Sequence, residues 1–120
     1  LEYHMPVKLD AKKMKKAIKY FEGEHDFKAF KSSGTSSKSS VRIIYKAELK
    51  EEDGRIIIEL TGNGFLYNMV RIIAGTLVDV GLNKIDPNSI PEIIKQGDRT
   101  KAGKTLPPHG LYLVKVEYIK

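Results

Sequence analysis

The sequence predicts an α+β fold, with a mixed or antiparallel sheet and helices packed on one face. Three observations predict it. Residues 41–61 alternate between apolar and polar on both sides of Asp53-Gly54, the pattern of a β-hairpin. Residues 10–21 and 65–80 place their apolar side chains at helical spacing. A last apolar segment at 110–118 completes the order α-β-β-α-α-β.

Each element follows from its residues. In the first helix, Ala11, Met14, Ala17, Ile18 and Phe21 form the apolar face, and Asp10 suits the N-cap. Lys12, Lys13, Lys15, Lys16 and Lys19 take the opposite face, which reads as solvated. Phe27 and Phe30 plug the core from one short turn. Lys31 to Ser40 is serine- and glycine-rich and reads as a loop. In the hairpin, Val41, Ile43, Tyr45, Ala47 and Leu49 are expected on the buried face, against Ile56, Ile58 and Leu60 of the returning strand. The long helix starts at Phe65 or Leu66 and runs to about Val80, with Leu66, Met69, Val70, Ile73, Leu77 and Val80 as its stripe and Gly81 as its end. Ser89-Ile90-Pro91-Glu92 has the capping-box pattern for a short helix ending at Gly97. Asp98 to His109 is a basic, proline-rich loop. Gly110 to Tyr118 is apolar on both faces for much of its length, which predicts a strand interior to the sheet.

The chain has 120 residues, is 41% hydrophobic and 30% charged, and reads as one domain over 1–120. It has no cysteine, which excludes disulfides, thiolate metal sites and a cysteine nucleophile, and fits a reducing cytoplasm. No apolar run approaches the roughly 20 residues that span a bilayer. Leu1 stands where a methionine would begin a whole protein, so a piece of something longer is expected. The net charge of +6 favours polyanionic partners, nucleic acid above all.

Several chemistries are unsupported. His25 and Asp26 are adjacent but no nucleophile accompanies them, and no second histidine stands at metal-ligand spacing, so His25 reads as structural or RNA-facing. Gly97 to Thr105 imitates a phosphate-binding P-loop, yet five residues separate its glycines instead of four, and it follows a helix and leads to Pro107-Pro108. Gly62-Asn63-Gly64 lacks the third glycine of a dinucleotide fingerprint. Asp26, Asp79, Asp86 and Asp98 each sit beside turns or caps, which favours structural use.

The feature that remains is Arg71. It is the single charged side chain in the first half of an apolar helix, among Met69, Val70, Ile72 and Ile73. A buried cation without a counter-charge costs several kcal/mol, so it needs an anion. The residues alone leave carboxylate and phosphate both open. Asn68, Gly75 and Asp79 share its side of the helix, and Gly75 leaves room there for another backbone or a ligand.

Phe65-Leu66-Tyr67-Asn68-Met69-Val70-Arg71, Ile73-Ala74-Gly75-Thr76-Leu77 and Val80-Gly81 resemble the C-terminal half of the tRNA pseudouridine synthase A family. Gly23-Glu24-His25-Asp26-Phe27 with Phe30, then Arg99, Ala102-Gly103, Pro107 and Gly110-Leu111-Tyr112-Leu113, continue the resemblance, and Tyr3, Pro6, Leu9 and Asp10 match its beginning. Enzymes of that family detach a uracil from its ribose at N1 and rejoin it through C5, in the tRNA anticodon stem-loop, without cofactor or metal. Their catalytic aspartate lies in an Arg-Thr-Asp-Ala-Gly motif of the N-terminal half. This chain lacks the motif; its nearest string is Arg99-Thr100-Lys101-Ala102-Gly103, which matches a separate segment of the family's C-terminal half.

The resemblance implies half of a pseudouridine synthase fold, inactive alone. It implies that Arg71 pairs with the catalytic aspartate of the missing half, and that Leu111 is a wall against the displaced base. Lys38, Arg42, Arg99, Lys101 and Lys104 are the expected phosphate contacts. The implied partners are the tRNA anticodon stem-loop, the chain's own N-terminal domain and a second copy in a homodimer, with no membrane and a cytoplasmic location. Two other readings are a non-catalytic RNA-binding module and a structural or dimerisation domain in which Arg71 pairs internally, for instance with Asp79.

Overall fold

The apolar faces of two helices and two long strands meet in one core. The computed structural model describes residues 9–32, 39–52, 55–107 and 112–118. Its elements are α1 (Ala11–Lys19), β1 (Gly23–Asp26), β2 (Val41–Glu52), β3 (Arg55–Gly62), α2 (Met69–Gly81), α3 (Ile90–Gln96) and β4 (Tyr112–Tyr118), with short 3-10 turns at Lys28–Phe30, Pro87–Ser89 and Arg99–Lys101. The sheet order is β1-β2-β3-β4. The first two pairings are antiparallel and β3–β4 is parallel. This is the expected α+β architecture with a mixed sheet. A parallel neighbour requires a crossover, and here both α2 and α3 lie between β3 and β4.

Met14, Ala17 and Ile18 of α1 and Met69, Ile73, Leu77 and Val80 of α2 pack with Ala47, Leu49, Ile58 and Leu60 of the sheet. Phe21, Phe27 and Phe30 are fully buried. Their rings meet edge to face, 5.1 Å apart for Phe21–Phe30 and 6.3 Å for Phe27–Phe30, the geometry that ring quadrupoles favour.

Four expectations are corrected. First, β2 does not alternate throughout. Ile44 pairs with Gly62 but Lys46 pairs with Thr61, so Tyr45 is an extra residue that bulges. A bulge reverses which face the following residues occupy. Beyond it Ala47 and Leu49 are buried as expected, whereas up to it the faces are exchanged: Ile44 is buried at 1% exposure, and Val41 and Tyr45 stand outside at 42% and 50%. Second, β1 is a strand the sequence did not disclose. Gly-Glu-His-Asp has no apolar alternation because it is a mostly exposed edge strand. Third, β4 lies at the sheet edge among the described residues. Apolarity on both faces of a segment reports two covered faces, not two paired edges. Fourth, Ser89 does not cap α3. Its hydroxyl donates to Asp86 O (2.6 Å), and Asp86 caps the preceding turn by accepting from the Asn88 N–H at 2.9 Å.

Asp10 caps α1 as expected, accepting from the Lys13 N–H at 3.1 Å. α2 is stopped not by Gly81, its last helical residue, but by Asn83, which takes φ 63° while its N–H donates to Val80 O at 3.0 Å and the Lys84 N–H donates to Asp79 O at 2.8 Å. Gly81 instead serves packing. A Cβ on it would lie 2.7 Å from Met14 Sδ, so it lets α1 approach. The hairpin turn Asp53-Gly54 lies outside the described residues; Glu52 pairs with Arg55, so two residues connect the strands.

Candidate active-site arginine

Arg71 is placed by the irregular start of α2. The helix begins at Met69, later than the apolar spacing suggests, because Asn68 takes a left-handed conformation at φ 59°. Asparagine tolerates this region better than most side chains. Upstream, Asn63 stitches the end of β3 to β2: its N–H donates to Ile43 O at 3.0 Å, and its Oδ1 accepts from the Ile43 N–H at 2.8 Å.

The half-buried guanidinium is held on two sides. Nε donates to the Leu106 carbonyl at 2.7 Å, and Nη1 donates to Asn68 Oδ1 at 3.1 Å. The backbone answers in reverse, with the Leu106 N–H donating to Arg71 O at 3.2 Å. Both side-chain acceptors are neutral. Among the described residues Arg71 makes no ion pair, so Asp79 does not neutralise it. A guanidinium has five N–H donors. Among the described residues two are used, and three remain on the Nη1–Nη2 end.

The loop that supplies Leu106 is fastened to α2 by missing side chains. A Cβ on Gly75 would lie 1.7 Å from Lys104 O, and one on Gly103 would lie 2.5 Å from the Thr76 N. The Gly103 N–H donates to Thr76 Oγ1 at 2.8 Å, and that hydroxyl donates to Ile72 O at 2.8 Å. Gly75 thus admits another backbone, one of the two options the sequence left open.

The other expected contacts divide. Arg99 is turned inward on its own loop, with Nη1 donating to Gly103 O at 2.8 Å and Nη2 to Thr105 Oγ1 at 3.3 Å. Lys101 and Lys104 are exposed on the same loop. Arg42 lies against Gly64 at the approach to α2, and its Nη1 donates to Ser39 O and Val41 O. His25 is structural: Nε2 donates to Glu22 O at 2.7 Å, and its ring meets Phe27 edge on. Lys38 and Leu111 lie outside the described residues.

A cavity of about 400 Å³ opens beside Gly75, floored by Met14, Ile56, Ile58 and Leu82, with Asp79 and Lys104 among its charged lining. Arg71 does not line it; this cavity and the held cation are separate. Among the described residues no cluster of three or more His, Asp or Glu is placed to hold a metal, and no helix is long and apolar enough to cross a membrane. Sequence reasoning found Arg71 and Gly75. It missed Leu106, whose contribution is a backbone carbonyl and leaves no trace in residue type.

Comparison with known proteins addresses the same residues. Residues 17–119 match the family model described as tRNA pseudouridine synthase. The tRNA pseudouridine synthase A of Caldicellulosiruptor saccharolyticus is 56% identical over 97% of this chain and 48% of its own length. That of Acetivibrio thermocellus is 53% identical over 97% of this chain and 48% of its own. That of Ruminiclostridium cellulolyticum is 55% identical over 96% and 47%. The chain spans about half the length of these curated relatives. With a family match across most of its length, and with the helix that presents Arg71 inside the matched range, this chain belongs to the tRNA pseudouridine synthase family.

Proposed function

We propose that this chain is the C-terminal half of a tRNA pseudouridine synthase, a single domain that supplies Arg71 to a cleft completed by an N-terminal half. The observation that carries the proposal is a half-buried guanidinium fixed by neutral acceptors, with three N–H donors uncommitted among the described residues. Neutral acceptors orient a cation but do not cancel its charge. A carboxylate arriving from the other half would do so, and the arginine would keep that carboxylate ionised by favouring its charged form. The reaction is an isomerisation: the N1 glycosidic bond breaks, a bond from the ribose to C5 forms, and the C5 proton is lost as N1 gains one.

The substrate class is tRNA, with uridines of the anticodon stem-loop as targets. The target base leaves its stack to be reached, and Leu111 is the proposed wall against it. Lys38, Arg42, Lys101 and Lys104 are proposed phosphate contacts, with Arg99 shaping the loop that carries two of them. The full protein is proposed to be cytoplasmic and homodimeric.

The test joins this chain to the N-terminal half of the Caldicellulosiruptor saccharolyticus relative and measures pseudouridine in a tRNA transcript. The joined protein is expected to form it, and this chain alone is not. Arg71→Ala is expected to lower kcat by about 10²-fold or more, the scale of losing one charge-stabilising donor, without unfolding the domain. Turnover by the chain alone, or full activity of Arg71→Ala, refutes the proposal.

A further inference from the structure

Asn68 occupies the N-cap of α2 yet makes no capping hydrogen bond. Asparagine is favoured at that position because its side chain can accept from the first turn's free N–H groups. Here the amide is turned away from the helix and spent elsewhere. Its Oδ1 accepts from Arg71 Nη1 at 3.1 Å, while its Nδ2 donates to Ser32 Oγ at 2.9 Å. The Ser32 N–H also donates to Tyr67 O at 3.1 Å, so the serine is tied to the same turn by its backbone. The two ends of the amide have opposite polarity, and each meets a partner of the matching kind. The guanidinium can only donate, so it selects the Oδ1 end of the amide, and Nδ2 is left to anchor on the serine hydroxyl.

We propose that Asn68 is a positioning residue for Arg71: its amide, anchored on Ser32, sets the rotation of the guanidinium and aims the unused N–H groups at an incoming anion. Leu106 O fixes the guanidinium at Nε alone, which leaves the side chain free to swing about that contact. Asn68 supplies the second point. The residue must also adopt φ 59°, which glycine, asparagine and aspartate do with least strain. Of these three, asparagine alone offers an acceptor to the arginine and a donor to the serine without adding charge. Aspartate would neutralise Arg71 locally and remove the need for a distant carboxylate.

This inference rests on the reading of Arg71 as a counter-ion, and it is tested in the joined protein with Asn68→Gly and Asn68→Asp. Asn68→Gly keeps the backbone conformation and loses the amide. It is expected to lower kcat by about tenfold or more, the weight of one hydrogen bond to a charged group, with KM for tRNA unchanged. The acid limb of its kcat–pH profile should move to higher pH, because the carboxylate loses part of the interaction that keeps it ionised. Asn68→Asp is expected to be at least as impaired. If Asn68 serves only the left-handed turn, Asn68→Gly keeps wild-type kcat and pH profile, and the inference is overturned. Should Asn68→Gly fail to fold, Ser32→Ala carries the same test, with a smaller loss in the same direction. The chain alone gives an independent reading by NMR. The two Nη groups of Arg71 should show separate resonances that merge in Asn68→Gly; separate resonances in both would overturn the inference. Absence of activity in the unmutated joined protein would sink the proposed function, and the NMR arm would still decide the role of Asn68.

Discussion

Gly75 and Gly103 act through what they lack. With the Lys104 carbonyl 1.7 Å from where a Cβ would stand, Gly75→Ala must displace the loop, and Leu106 moves with it. The expected cost is about 1–3 kcal/mol for overpacking, read as a lower urea midpoint, together with loss of the separate Arg71 Nη resonances. Gly97→Ala is the contrast. Its φ of 66° carries strain, but its nearest neighbours lie at 3.6 Å, so it should cost about 1 kcal/mol and leave Arg71 undisturbed. Equal disturbance of Arg71 by both would show that the Gly75–Lys104 contact does not hold the loop. On the same loop, Asp98 Oδ1 accepts from the Thr100 hydroxyl at 2.7 Å and from its N–H at 2.9 Å. These bonds hold the Asp98 carboxyl below its ordinary range. A carboxyl depressed in the folded state adds stability that is present above its unfolded pKa of about 3.9 and is lost as pH falls through the lower folded value. Asp98→Asn should flatten that acid loss in a thermal-melt series below pH 4, and an unchanged series would remove Asp98 from the acid response.

The bulge at Tyr45 sets the packing of the sheet and gives the clearest separation between pattern and structure. Ile44→Ala should cost about 2–5 kcal/mol as a buried large-to-small change, and Tyr45→Ala within about 0.5 kcal/mol as a surface one. An uninterrupted alternation of β2 requires the reverse order, so chemical denaturation of the two variants decides between them. The extra residue was illegible because alternation is read from residue type, and isoleucine occupies both 43 and 44. On the helices the same reading placed most of the buried face, with Val70 only partly covered and Ile72 buried in addition. The stripe Met14, Ala17, Ile18 is buried as its spacing requires, and so are Met69, Ile73, Leu77 and Val80 on α2. What stayed hidden is what backbone groups do: the pairing of β1, the edge position of β4 and the Leu106 carbonyl on Arg71. The candidate site was half legible for the same reason. A lone arginine among apolar residues advertises itself, whereas Asn68 looked like one polar residue on a helix face until its amide was seen turned away from the cap.

At the scale of the molecule, the net charge of +6 and the arrangement of one loop bear on how RNA would be engaged. The 99–107 segment does two jobs with separate atoms. Its Leu106 carbonyl holds Arg71 and Arg99 turns inward to brace the loop, while Lys101 and Lys104 face solvent. A phosphate contact by either lysine would therefore place the backbone of the RNA beside the helix that presents the arginine. Phosphate contacts act through counterion release, so their signature is salt dependence rather than sequence preference. In the joined protein, Lys101→Gln with Lys104→Gln should weaken binding of an anticodon stem-loop and flatten the plot of log K against log salt by about one for each lysine lost. Lys15→Gln serves as the control: Lys15 sits on α1 and pairs with Glu51 at 3.6 Å, a surface pair of little energetic weight, and its loss should leave the slope alone. An unchanged slope in the double variant would move the RNA track off this loop, and Arg71 would then have to receive its substrate from the side of β2 and Arg42.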